Sequence, residues 1–149
     1  MVVNRQRRVA VAVKPLGAFL ERVQGELRLN RREVVVQLVS DAAIARLNRT
    51  FRGQGGPTDV LSFPANANAL RPASQQLRKS GKVSGYLGDI AISAETARRN
   101  AGRDARSLPQ ELRVLILHGV LHLAGYDHET DRGEMNHLEG RLRRRLGLR

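Results

Sequence analysis

"PQELRVLILHGVLHLAGYDH", Pro109 to His128, is the stretch from which the fold can be read. Its apolar residues (Leu112, Val114, Leu115, Ile116, Leu117, Val120, Leu121 and Leu123) fall on nearly every face of a helix. A helix that is apolar all round belongs at the centre of a domain. The pattern therefore predicts a buried helix from near Pro109 to Ala124, with the other elements packed around it. Gly125 suits its end, because glycine takes the left-handed conformation at little cost. His118 and His122 lie four apart on this helix and so project from one face. Beyond the glycine turn the chain can bring His128 back to the same point.

The three histidines form the pattern H-x-x-x-H-x-x-G-x-x-H, the zinc-ligand spacing of the metzincin proteases. Only four histidines occur in the chain, and three of them fall in this one block. Polar imidazoles on an apolar helix are costly to bury without partners, which weighs against ordinary interior histidines. Three imidazoles and an open position make a catalytic zinc site, whereas structural zinc is usually closed by four protein ligands. His118, His122 and His128 are thus expected to hold one Zn2+ per chain on a zincin-like central metal-binding helix. Asp127 either orients a ligand imidazole or stabilises the turn. Tyr126 reads as a packing residue, and His137 as surface or packing.

Gly119 stands where those proteases keep the glutamate that serves as general base. Peptide hydrolysis suffers severely without it, because the leaving amine needs a proton. Phosphodiester cleavage depends on it less, since much of the work is stabilising charge on non-bridging oxygens. The overall charge agrees. Lys and Arg number 26 against 14 Asp and Glu, a net charge of +12, and 23 of the basic residues are arginine. Such a field favours polyanions, and arginine's planar fork suits phosphate. A purely solvated arginine surface is the competing reading.

Working outward, 149 residues suit a single domain, 1–149, with 41% hydrophobic content. With no cysteine, disulfides and thiolate ligands are excluded. The apolar run near the N-terminus is too short for a signal peptide or a membrane span, so a cytoplasmic protein with no membrane partner is expected. "VAVAV" (Val9 to Val13) predicts a short strand. Pro15 opens a helix with the stripe Leu16, Phe19, Leu20, Val23 and Leu27. "EVVVQLV" (Glu33 to Val39) predicts a central strand. Ser40 caps a helix carrying Ile44, Leu47 and Phe51. "TDVLSFP" and "YLGDIAIS" predict two more strands, separated by a long polar loop over 65–84. Ser93 caps a helix through about Asn100, and Asp131 with Glu134 caps the last one, whose inner stripe is Met135, Leu138, Leu142 and Leu146. The order implies an α+β fold: a small mixed sheet of about four strands packed with about five helices.

"HGVLHLAGYDH" (118–128), "LNRTFRGQGGPTDVLSFP" (47–64) and "LGDIAIS" (87–93) together resemble the YbeY family of bacterial endoribonucleases. The resemblance implies a zinc-dependent, single-strand-specific endoribonuclease. It also implies a role in ribosomal RNA processing, notably maturation of the small-subunit 3′ end, and in removal of defective ribosomes. The implied partners are single-stranded RNA, ribosomal RNA and the small ribosomal subunit. By the same resemblance His118, His122 and His128 are the metal ligands and Arg52 is the functional arginine, making Arg52 and His118 the catalytic candidates. The residues of the 65–85 region match no family block.

Arg52 can also be read directly. It ends a helix just before a glycine-rich turn, where an open backbone can approach a phosphodiester. A solvated arginine favoured by the helix dipole is the alternative. Five aromatics occur, and several look like core, so no stacking platform for bases is evident. Two rival functions remain: a zinc peptidase, and a non-catalytic RNA-binding ribosome-assembly factor with a structural metal.

Overall fold

The computed structural model describes residues 1–65, 85–127 and 129–148. Residues 66–84, nearly all of the expected long loop, and His128 lie outside the described residues. Among the described residues the chain forms four strands and five helices. The strands are β1 (Val2–Asn4), β2 (Glu33–Val39), β3 (Val60–Pro64) and β4 (Tyr86–Ser93). The helices are α1 (Val13–Glu26), α2 (Asp41–Arg52), α3 (Ala94–Arg103), α4 (Leu108–Leu123) and α5 (Glu134–Arg145). The sheet order is β1-β2-β4-β3, with β1 and β4 parallel to β2, and with β3 antiparallel to β4. This is the mixed α+β arrangement that the element order implies.

β2 and β4 are buried along almost their whole length, as β-branched runs flanked on both sides by other strands should be. Alternation divides their side chains between two cores. Val34, Val36, Leu38, Ile90 and Ile92 join the main cluster with α1, α4 and α5. Val39 and Ala91 join Leu61, Phe63 and Ile44 in a smaller cluster under α2. Helix α4 lies within the main core and packs on α1, α3, α5, β3 and β4. Its all-round apolar surface makes it the element that α1, α3 and α5 share.

The first strand departs from expectation. Val9 to Val13 is not a strand; the ladder to β2 is made by Val2–Asn4. The Gln6 side chain explains the difference. Its amide donates to the Val9 carbonyl at 2.8 Å, and its carbonyl oxygen accepts from the Val9 amide at 2.9 Å. Val9 is thus hydrogen-bonded locally rather than across a sheet. Val9 is buried and Val11 packs against the main core, so the apolar alternation is genuine burial without a ladder. Val13 already belongs to α1.

Helices α2 and α3 leave the sheet side by side, because Val39 at the end of β2 is paired with Ser93 at the end of β4. Ser40 and Ser93 cap them, accepting from the amides of Ala43 and Thr96. Asp41 then ties the two starts together. Its carboxylate accepts from the hydroxyls of Ser93 and Thr96 and from Arg99, and its amide donates to Glu95. Burial pushes the Asp41 pKa up, but these three hydrogen bonds and the Arg99 charge outweigh it and hold the carboxyl below its ordinary 3.8.

Candidate active site

The end of α4 is built as the sequence suggests. Leu123 is its last residue, and Gly125 follows with φ of 100°. The Gly125 amide donates to the His122 carbonyl at 3.0 Å and the Tyr126 amide to the Leu121 carbonyl at 3.1 Å. This pair of bonds is a Schellman ending, which satisfies carbonyls that a helix would otherwise leave bare. Tyr126 packs against the main core. The helix therefore ends in a hydrogen-bonded turn just past His122.

His118 and His122 are half-buried on one face of α4. Their rings meet edge to face with centroids 4.7 Å apart, and their Nε2 atoms are 3.1 Å apart. Two ring nitrogens at that separation need a proton or a cation between them. His118 Nδ1 lies 2.8 Å from Glu139 Oε1 on α5. A carboxylate can only accept there, so Nδ1 carries the hydrogen, and in the neutral imidazole this leaves the Nε2 lone pair facing His122. A carboxylate behind a histidine in this way is the usual support for a metal-ligating imidazole.

Tetrahedral zinc with bonds of about 2.0–2.1 Å to nitrogen sets its ligands roughly 3.3 Å apart. The observed pair fits that donor set. The third expected ligand, His128, lies outside the described residues, and among the described residues no three His, Cys, Asp or Glu groups converge on a metal position. Asp127 spends its contacts on the turn: its side chain accepts from the Glu129 amide, and its carbonyl from the amides of Thr130 and Asp131. His137 is exposed.

Gly119 has a packing role. A Cβ added there would sit 2.9–3.1 Å from three side-chain atoms of Ile90 on β4. The Ser62 hydroxyl also donates to the Gly119 carbonyl at 3.1 Å. The position that bears a glutamate in metzincin proteases is here pressed onto the sheet, with no room for even a methyl group.

Arg52 approaches from the other side. It is the last residue of α2, and Gly53 follows in the left-handed region with φ of 66°. The amides of Gly53 and Gln54 donate to the carbonyls of Arg49 and Asn48, and with Gly53 left-handed the 53-to-49 bond makes this ending an αL cap. Buried Asn48 donates to the Gly56 carbonyl at 3.1 Å and ties the glycine-rich turn back to the helix. Arg52 is exposed. It lines a cleft of about 710 Å³ together with Phe51, Asp59, His118, His122 and Asp127. Edge strand β3 forms the floor between the two sides.

One residue departs from its expected place, and one that meets a site histidine was missed. Phe51, assigned to the inner stripe of α2, is 41% exposed. The last turn of α2 reaches the sheet edge, where it meets the single ring of Phe63, 5.4 Å away and inclined by 74°. Glu139 was not singled out from the sequence. One signal was available: it lies four residues after Met135 and three before Leu142, a carboxylate set among the apolar positions of an inward stripe.

The Endoribonuclease YbeY family profile matches residues 2–147. Over 148 residues the chain is 42% identical to the Endoribonuclease YbeY of Koribacter versatilis, covering 99% of this chain and 86% of that one. It is 43% identical over 118 residues to the Endoribonuclease YbeY of Nitrobacter hamburgensis, covering 78% of this chain and 59% of that longer protein. The solution structure of a Thermotoga maritima protein matches with a TM-score of 0.63 and 28% identity, over 98% of this chain and 89% of that one. This chain belongs to the YbeY endoribonuclease family.

Proposed function

We propose that this protein is a zinc-dependent endoribonuclease that cleaves single-stranded RNA. It acts in the cytoplasm on ribosomal RNA, in small-subunit 3′ end maturation and in ribosome quality control. One observation carries this reading: the exposed guanidinium of Arg52 and the paired Nε2 atoms of His118 and His122 line a single cleft. His118, His122 and His128 hold one zinc. When bound, the metal supplies Lewis acidity and makes water acidic enough to act as a nucleophile near neutral pH.

The chain's own groups do the rest. Glu139 fixes the His118 tautomer and keeps Nε2 aimed into the cleft. Arg52 donates two parallel N–H bonds to non-bridging oxygens of the scissile phosphate and stabilises the charge that builds there. Both rival readings meet specific obstacles. A peptidase needs a carboxylate base, and Gly119 is closed against Ile90. A purely structural metal would leave the exposed arginine across the cleft without a task.

The test is purified protein, with and without a chelator, assayed on single-stranded RNA, duplex RNA and casein. Chelator-sensitive cleavage of the single strand alone is expected. Cleavage of casein, or RNA cleavage indifferent to chelation, would overturn the reading.

A further inference from the structure

Among the described residues, Phe51 and Met1 are the exposed large hydrophobic side chains. Phe51 is also fixed in place. Its ring meets Phe63, itself 7% exposed, in an edge-to-face contact at 5.4 Å. Whichever ring presents its edge, such a contact leaves at least one face of Phe51 uncovered by Phe63. Phe51 precedes Arg52 in the chain, and both line the cleft that holds His118 and His122. An exposed aromatic ring and the Arg52 side chain thus line the same cleft.

Building on the reading of the cleft as an RNA-cleaving site, we propose that Phe51 is the stacking platform for an unpaired nucleobase next to the phosphate held by Arg52. A base and its phosphate are covalent neighbours, so an aromatic ring adjacent to the arginine suits one nucleotide. In a duplex, a base is already stacked on both faces and paired along its edge; a base in a single strand can swing out and stack on a protein ring. Phe51 thus gives the site a physical means of selecting single strands. Every base has a π-face, so the contact carries little sequence preference. From the sequence no stacking platform is evident, because Phe51 falls on the apolar stripe of α2; its exposure is what offers the ring to a base.

The experiment mixes zinc-loaded protein rapidly with short single-stranded RNAs, each carrying one 2-aminopurine at a different position. Fluorescence quenching on binding and subsequent cleavage are followed in the same run. Wild type and Phe51→Tyr should quench the probe at one register. Phe51→Ala and Phe51→Leu should not, while keeping their zinc and their melting temperature. kcat/KM on single-stranded RNA should fall roughly fivefold to 150-fold in these two variants, the range for losing one stacked base. Their preference over duplex RNA should shrink with it. An abasic residue at the quenched register should remove the same factor from wild type and nothing more from Phe51→Ala. Wild-type quenching and cleavage in both the alanine and leucine variants would overturn the proposal while leaving the nuclease reading intact. Register-specific quenching that depends on Phe51, in a protein that cuts no RNA, would support the stacking contact and defeat the nuclease reading instead.

Discussion

His118 meets a carboxylate that lies 21 residues further along the chain, Glu139 at 2.8 Å. Glu139→Gln keeps an oxygen acceptor at the same place but removes its charge, so the imidazole becomes a weaker and less firmly held ligand. Zinc affinity should fall about 10- to 100-fold, measured by competition with a chromogenic chelator; unchanged affinity would show that the carboxylate does not support the site. Gly119 makes a packing prediction. Ile90 is fully buried and β-branched, and cannot easily yield to a new methyl group. Overpacking costs about 1–3 kcal/mol, against roughly 1 kcal/mol gained from replacing glycine by alanine in a helix. Gly119→Ala should therefore lower stability by up to about 2 kcal/mol in a denaturant titration, and a more stable variant would refute the close fit. The histidine spacing was legible in the sequence because both residues sit on one helix. Glu139 was not, since its role exists only once α5 has docked on α4.

At the scale of elements, the start of α2 depends on a charge. The Asp41 carboxyl is held below its ordinary 3.8, with burial opposing and the bonds from Ser93, Thr96 and Arg99 prevailing. A pKa lowered by folding stabilises the native state while pH stays above the unfolded value, and that contribution fades as pH falls through the folded one. Asp41→Asn should thus melt at a lower temperature than wild type at pH 7, and the gap should close as pH drops below 3.8. A gap that stayed constant down to pH 2 would mean that the charge is irrelevant. Strands β2 and β4 were legible because their apolar runs are bounded by clear turn and capping residues. Val9 to Val13 misled because alternating burial was taken for pairing, whereas the Gln6 side chain meets the Val9 backbone locally. Phe51 misled for a related reason. Periodicity gives the direction of a side chain, while its cover depends on where the sheet ends.

For the whole molecule, a net charge of +12 acts on any polyanion before contact. Affinity for single-stranded RNA should fall with salt along a log–log slope of about −0.7 for each phosphate neutralised. A flat dependence, measured by fluorescence anisotropy, would mark the arginines as solvated surface. The α+β class and the central helix followed from the sequence, because one helix apolar on all sides leaves little choice of architecture. The cleft did not, since it joins the ends of α2 and α4, more than sixty residues apart, across β3. The measurement that tests this joint site most directly is the single-turnover cleavage rate of single-stranded RNA as zinc is restored to stripped protein. For wild type the rate should climb to a plateau at about one zinc per chain. Arg52→Lys should plateau at the same stoichiometry but roughly tenfold to a thousandfold lower, as expected when one preorganised donor to the phosphate is lost. Full activity in the stripped protein, or a wild-type plateau in Arg52→Lys, would contradict it.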